Sequence, residues 1–156
     1  MTPSYYIKTV PGPSRLSGHD EAIMWEALEI IKKSRETLEP TKFIELLALD
    51  AIYQSQNALE PLVGKPKISD YLIKRYKFFE TVEDKSKLGE FCYAYIDLPE
   101  GKNYPCLLII ANNERQAIWT IFLNAEKKIS KVDIITVAPH PNEAIILKKF
   151  TGSKKD

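Results

Sequence analysis

Residues able to catalyse a reaction or to hold a metal ion are few in this chain and lie far apart. The two histidines are His19 and His140, and neither has a cysteine or carboxylate nearby at the spacing of metal ligands. We interpret His19 as a first-turn helix residue and His140 as a loop residue between prolines. The glycine and serine patterns of serine hydrolases, Walker A loops and dinucleotide-binding folds do not occur. The sequence therefore predicts no metal and no cofactor.

The two cysteines, Cys92 and Cys106, lie in apolar, strand-like surroundings without a paired spacing. Buried free thiols in a reducing compartment are therefore favoured over a disulfide. Cys106 precedes the apolar residues 107–111 and is a candidate lining residue of an internal cavity. A reactive thiolate would need cationic neighbours, which this run does not supply, so we interpret Cys106 as structural.

Two carboxylates and two tryptophans complete the set of candidate functional residues. Asp50 and Asp133 would form a carboxylate pair only if the fold brought them together, and a helix end and a solvent-facing strand position are the plainer interpretations. Trp25 and Trp119 are large side chains that each carry one N–H in need of a partner. They either pack in the core or line a cavity, and the sequence leaves both interpretations open.

The overall composition indicates a globular domain without a charged binding surface. Of 156 residues, 44% are hydrophobic, which provides ample core material, and the 22 basic and 21 acidic residues are interspersed. No basic stripe predicts nucleic-acid binding. No apolar run approaches the roughly 20 residues that span a bilayer, and the first 14 residues lack the features of a signal peptide. We expect a cytoplasmic protein that binds neither nucleic acid nor membrane.

The N-terminal half predicts three helices. Residues 17–20 offer a helix start, and the apolar residues that follow recur every three to four positions until Pro40 ends the helix. Thr41 can cap a second, short helix. A strand over residues 51–55 and a short strand ending at Val63 come next. The third helix begins near Pro66, which suits a first turn because its missing N–H would lack a partner there anyway.

The second half predicts an antiparallel meander of strands. After Lys87 the apolar period changes from 3.6 to 2, so Phe91, Tyr93 and Tyr95 share one face of a strand. Turn-rich segments then separate strands over residues 106–111, 115–124 and 129–137. Aromatic residues are enriched at interfaces, so the face of Tyr93 and Tyr95 is a candidate dimer surface.

These elements predict an α+β fold shaped like a cone, with three helices from the N-terminal half packed on a curved, mainly antiparallel sheet. The predicted organisation is an extended N-terminal arm over residues 1–18, one domain over residues 19–150, and a polar tail over residues 151–156.

Three segments resemble the nuclear transport factor 2-like superfamily, also called cystatin-like α+β: LLALDAIYQSQ, LVGKPKISDYL and FLNAEKKISKVDIITVAPHP. The resemblance covers roughly residues 21–143 and concerns shape. The superfamily includes ketosteroid isomerases, dehydratases, polyketide cyclases, transport adaptors and many domains of unknown role, among them SnoaL-like proteins. It implies a homodimer formed through the outer face of the sheet and a pocket between the helices and the sheet.

The resemblance also places the three catalytic positions of a ketosteroid isomerase on this chain. The general base falls at Ser55, the oxyanion-hole tyrosine near Ile31, and the oxyanion-hole acid at Trp119. Isomerase catalysis needs a base within reach of the substrate and donors aimed at the developing oxyanion. None of these three side chains supplies such a group, so the sequence predicts no catalytic residue.

The leading hypothesis is a non-catalytic module that binds a small, largely apolar molecule. The residues expected to line its pocket are Met24, Ile31, Tyr53, Ser55, Tyr71, Cys106 and Trp119. Two alternatives stay open. One is an isomerase, dehydratase or cyclase that uses a different constellation, and the other is a protein-interaction module.

Overall fold

The structure of the chain, a computed structural model, describes residues 6–7, 16–56, 60–97, 103–111 and 114–136. His140 and the predicted tail, residues 151–156, lie outside the described residues. All described secondary structure belongs to helices packed on a single sheet, with seven described strands.

Three α-helices are described, and all precede the meander: α1 (Gly18–Thr37), α2 (Thr41–Leu46) and α3 (Lys65–Glu80). A short 3-10 helix, Lys85–Leu88, follows α3. The side chain of Ser17 caps α1 by accepting a hydrogen bond of 3.1 Å from the backbone N–H of Asp20, as the sequence predicts. The helix ends where Leu38 adopts a left-handed conformation, with φ at 58°. Pro66 lies in the first turn of α3, also as predicted.

The strands are β1 (Tyr6–Ile7), β2 (Leu47–Ser55), β3 (Leu62–Val63), β4 (Glu90–Asp97), β5 (Asn103–Ala111), β6 (Glu114–Leu123) and β7 (Ile129–Thr136). They form one sheet in the order β1-β4-β5-β6-β7-β2-β3. Every described neighbouring pair is antiparallel except β2 with β7. The predicted meander of four strands is therefore confirmed, and β2 and β3 extend it.

The sheet curves around the helices. The pairing shifts register within β2, in β5 between Ile109 and Ile110, and in β6 between Phe122 and Leu123. An extra residue in one strand of a pair bends that strand and increases its twist, so these shifts are a local cause of the curvature. The α+β cone with three helices on a curved, mainly antiparallel sheet is confirmed.

Tyr93 and Tyr95 face α1. The ring of Trp25 on α1 meets both edge-on, with centroids 5.7 Å from Tyr93 and 5.4 Å from Tyr95. Glu21 accepts hydrogen bonds from the Trp25 indole at 3.1 Å and from the Tyr95 hydroxyl at 2.5 Å. Alternation assigns residues to a face of a strand without saying which face the helix covers. The role of these two tyrosines in a dimer stays a prediction.

Candidate functional site

A cavity of about 180 Å³ lies between α1, α3 and the concave face of the sheet. Its polar lining comes from two arginines, three tyrosines and one serine: Arg35, Arg75, Tyr53, Tyr71, Tyr76 and Ser55. Its apolar lining comes from the helices and three strands: Leu72, Phe79, Ile109, Ala117, Trp119 and Ile134. The cavity therefore has an aromatic and aliphatic wall together with a cluster of hydrogen-bond donors.

Strand register brings three predicted residues to one side of this cavity. Ser55 of β2 pairs with Ile134 of β7, which in turn pairs with Trp119 of β6. Tyr53 lies two residues before Ser55 and so shares its face of the sheet. The sheet therefore places Tyr53, Ser55 and Trp119 as neighbours across three strands.

Trp119 is the centre of an aromatic cluster beneath the cavity. Its ring centroid lies 5.1 Å from that of Phe91, 5.9 Å from Tyr53 and 6.4 Å from Phe43. Rings at these separations and inclinations attract one another beyond their hydrophobic contact. Only 7% of the Trp119 side chain is exposed, so it both packs in the core and lines the cavity.

Arg35 reaches into the cavity from the last turns of α1. Its Nη2 donates a hydrogen bond of 2.6 Å to the backbone carbonyl of Leu88. Its Cζ lies 4.6 Å from the ring centre of Phe79 on α3 and 5.5 Å from that of Phe91 on β4. Burial lowers the pKa of Arg35, and the positive charge of Arg75 lowers that pKa further. An arginine still keeps its proton in a protein, so Arg35 is a cation in this wall.

Tyr53 and Tyr76 are neutral donors near pH 7. Burial raises the pKa of Tyr53 well above its ordinary value, and its side-chain hydrogen bond with Tyr71 adds to the rise. Burial also raises the pKa of Tyr76 to about 12, although the nearby charge of Arg35 acts in the opposite direction. A buried phenol resists ionisation because the phenolate would lose its hydration. These hydroxyls can therefore hold a ligand but do not supply a base.

None of the described residues that line the cavity is an aspartate, glutamate, histidine or cysteine. Abstraction of a proton from carbon near neutral pH requires one of these groups, or an amine with a lowered pKa, within reach of the substrate. Serine, neutral tyrosine and charged arginine do not meet that need. The arrangement supports binding and orientation of a molecule by hydrogen bonds and stacking.

The structure brings together four of the seven predicted site residues: Tyr53, Ser55, Tyr71 and Trp119 all line this cavity. Ile31 is completely buried in the core and does not line it. Met24 lines a different cavity of about 160 Å³ near the N-terminal end of α1.

Cys106 lies on the face of β5 that is turned away from the cavity. Its neighbour Leu107 pairs with Trp119, and successive side chains of a strand alternate between faces. The Cys106 side chain is completely buried, and burial raises the pKa of its thiol. It therefore lies away from the cavity as an inert thiol.

The sequence interpretation missed Arg35, Arg75 and Tyr76 as lining residues. A signal was present, because Arg35 lies four residues after Ile31 and so continues the buried stripe of α1 by one turn. Arg75 stands in the same relation to Tyr71 on α3. Charged residues at the edge of an apolar stripe are usually solvated, which is why the pattern did not reveal them.

Within the part of the chain that the structure describes, no group of three or more histidine, cysteine, aspartate or glutamate side chains is placed to hold a metal ion. Over the same residues, no helix has both the length and the apolar character that crossing a membrane requires.

Solved structures provide the comparison with known proteins. A steroid delta-isomerase from Pseudomonas aeruginosa superposes with a TM-score of 0.50 at 13% identity, over 80% of this chain and 84% of the isomerase. The extracytoplasmic function sigma factor SigJ of Mycobacterium tuberculosis superposes with a TM-score of 0.52 at 11% identity, over 72% of this chain and 42% of SigJ. No protein-family model matches the chain, and no curated protein matches its sequence. The chain therefore shares its fold with these two proteins, and at these identities the similarity carries no activity with it.

Proposed function

We propose that this chain, which has the nuclear transport factor 2-like fold, is a small-molecule-binding module whose site is the cavity between α1, α3 and the sheet. The observation that carries the proposal is the composition of the lining. Six aromatic and aliphatic side chains, Trp119 among them, form half of the lining, and six polar side chains from α1, α3 and β2 form the other half. Ligand sites have this combination of an apolar surface with a small number of placed polar groups.

The size of the cavity limits the ligand. An apolar cavity of about 150 Å³ is sufficient for benzene. The cavity of about 180 Å³ therefore accommodates a molecule built on one ring or on a short aliphatic chain. A steroid has four fused rings and would require the surrounding side chains to move.

Binding without acid–base catalysis is the better-supported form of this proposal. The cavity contains Ser55 and Trp119 where the resemblance places the base and the acid of an isomerase. Neither the buried tyrosines nor the arginines exchange a proton readily near neutral pH. An isomerase, dehydratase or cyclase activity would need a group that the described lining does not provide.

Trp119 fluorescence tests the proposal directly. The chain contains two tryptophans, so a Trp25→Phe variant leaves Trp119 as the single indole emitter. Benzyl alcohol, a neutral molecule with one ring, is titrated into this variant. We expect a saturable change in the emission of Trp119, because the molecule replaces the contents of a cavity that touches the indole.

A substitution that fills the cavity is the specific control. Ala117 lines the cavity and is 9% exposed, so Ala117→Leu adds three carbon atoms to the space a ligand would occupy. We expect Ala117→Leu to abolish the saturable change and Ala117→Ser, which keeps the side chain small, to preserve it. Emission that does not respond to benzyl alcohol, or that responds equally in Ala117→Leu, would contradict the proposal.

Self-association through the outer face of the sheet, which the resemblance implies, remains a proposal of its own. On that face, Cys106, Leu108 and Ile118 are already buried within one chain. Phe122 is 38% exposed and is the large apolar side chain of the described meander strands that is available for such a contact. Light scattering on the parent protein and on Phe122→Glu tests it: a dimer that becomes monomeric in the variant supports it, and a monomeric parent protein contradicts it.

A protein-interaction role is the second candidate, because large apolar side chains remain exposed on the other side of the molecule. Leu49 is 81% exposed, and Val63 and Phe78 are also exposed. These residues lie on β2, β3 and α3, away from the strands that carry the predicted dimer face. Sedimentation of the purified protein tests this role. Weaker self-association of a Val63→Lys, Phe78→Glu double variant than of the parent protein would favour it.

A further inference from the structure

The cavity carries positive charge without a matching carboxylate. Arg35 and Arg75 both line it, and the described lining contains no aspartate or glutamate. The titratable groups whose charges affect the pKa of Arg35 are the hydroxyls of Tyr53, Tyr71 and Tyr76 and the guanidinium group of Arg75. Buried and partly buried charges in proteins are ordinarily paired with an opposite charge. Here no carboxylate is present among the described residues of the cavity lining that could pair with Arg35.

One N–H group of the Arg35 side chain, at Nε, has no hydrogen-bond partner among the described residues. The Nη2 of Arg35 is bonded to the carbonyl of Leu88, whereas its Nε is buried. An N–H group that is buried without an acceptor loses its hydration without compensation. The negative charge of an anion in the cavity would offset part of that cost.

Arg75 places the second cation at the mouth of the cavity. It is exposed on α3, and its Cζ lies 5.0 Å from the ring centre of Phe79, the same ring that Arg35 contacts at 4.6 Å. Both residues line the cavity, and the charge of Arg75 lowers the pKa of Arg35, so the two guanidinium groups lie close enough to interact. Each raises the electrostatic cost of the other, and an anion between them would lower both costs.

We propose that the ligand of this cavity is a small organic carboxylate with an apolar body, whose carboxylate binds between Arg35 and Arg75 and whose body packs against Trp119 and Ile134. This inference rests on the binding function proposed above and names its ligand class. A guanidinium group offers planar, paired donors that match the two oxygens of a carboxylate. The hydroxyls of Tyr53, Tyr71 and Tyr76 provide further donors beside the same position.

A purely structural role of Arg35 makes a different prediction. In that role the side chain serves only to fasten Leu88 to α1 and to pack on Phe79 and Phe91, and ligand charge has no effect on binding. Arg75 separates the two roles, because it is exposed and its removal leaves the contact between Arg35 and Leu88 intact.

The test compares benzoate with benzamide, which has nearly the same shape and no charge, by calorimetric titration of the full chain. We expect benzoate to bind the parent protein at least about tenfold more tightly than benzamide, as one charge-assisted hydrogen bond would provide. Arg75→Met should weaken benzoate binding by about tenfold and leave benzamide binding unchanged. Lys77→Met removes the same charge two residues further along α3, outside the cavity, and should change neither.

Arg35 is tested with a pair of substitutions. Arg35→Met should remove the preference for benzoate, and Arg35→Lys should retain part of it because the charge remains. Lys33→Met is the matched control on the exposed side of α1. If Arg35→Met does not fold, as circular dichroism would show, Arg75→Met and Arg35→Lys decide the question.

The outcomes of these titrations distinguish the carboxylate inference from the more general proposal that the cavity binds a small molecule. Benzamide that binds as tightly as benzoate, in the parent protein and in Arg75→Met alike, overturns the carboxylate inference and leaves a binding cavity in place. If benzoate, benzamide and benzyl alcohol all fail to bind, the proposed binding function itself is overturned. A benzoate preference that both arginine substitutions reduce, and that Lys33→Met and Lys77→Met do not, supports the inference.

Discussion

The guanidinium carbon of Arg35 lies 4.6 Å from the ring centre of Phe79. This contact joins the C-terminal part of α1 to the C-terminal part of α3 directly above the cavity. It places a cation on the face of an aromatic ring, where the ring's quadrupole attracts it. The stability of the helix layer and the charge of the cavity therefore depend on the same pair of side chains.

Phe79→Leu should lower the free energy of unfolding by about 1–3 kcal/mol, because a buried ring that contacts Arg35 and Arg75 is replaced by a smaller, non-aromatic side chain. The preceding residue gives a matched control. Phe78 is 57% exposed, so Phe78→Leu should change stability by less than about 0.5 kcal/mol. Urea denaturation of both variants measures the difference, and equal losses would contradict the role assigned to Phe79.

Gly89→Ala should destabilise the entry into β4 by about 1–3 kcal/mol, since Gly89 has φ at +77°, a conformation that strains other residues. An added Cβ would also lie 3.0 Å from the backbone oxygen of Ile110. Gly18→Ala is the control, because nothing lies within 4 Å of its added Cβ and its φ is not positive. Thermal unfolding should show Gly18→Ala as neutral or slightly stabilising, and a harmless Gly89→Ala would rule out the described turn.

The stability of the protein should fall at alkaline pH partly because of Tyr76. Its pKa is about 12 in the folded protein against an ordinary value of 10.0, so its contribution is complete below pH 10 and is lost as the pH rises towards 12. The corresponding change in the free energy of unfolding is up to about 3 kcal/mol. Tyr76→Phe cannot ionise and should show a shallower decline in urea denaturation curves. Identical pH profiles would contradict the buried position of this hydroxyl.

Trp119→Ala should lower the free energy of unfolding by about 3–5 kcal/mol, the cost of removing a large buried aromatic side chain. Trp119 contacts the rings of Phe43, Tyr53 and Phe91, and all of these contacts would be lost. Leu49→Ala provides the comparison, because Leu49 is 81% exposed and its truncation should be nearly neutral. Chemical denaturation followed by circular dichroism measures both, and a small effect at Trp119 would contradict its place at the centre of the aromatic cluster.

The fold was predictable from the sequence because its local signals agree with one another. The cap at Ser17, the first-turn Pro66 and the change of period after Lys87 each mark an element that the structure contains. The start of β2 was less predictable. The strand begins at Leu47 and not at Ala51, since α2 runs into it without a turn that would mark the boundary.

The candidate site was predictable only in its strand-borne part. Tyr53, Ser55 and Trp119 follow from alternation combined with the resemblance, whereas Cys106 has the opposite parity to Leu107 and so faces away. The spacing from Ile31 places Arg35 on the buried stripe of α1, but it does not say whether a long charged side chain turns outward to water or inward along the helix layer. Only the packing of α1 against α3 determines that choice.

The central claim is that the cavity beside Trp119 binds a small molecule through Arg35. A crystal structure of the protein grown with benzoate tests it most directly. The account predicts electron density for one ring against Trp119, with the carboxylate within hydrogen-bond distance of the Arg35 guanidinium group. A cavity filled by its own side chains, or benzoate bound only elsewhere on the protein, would contradict it.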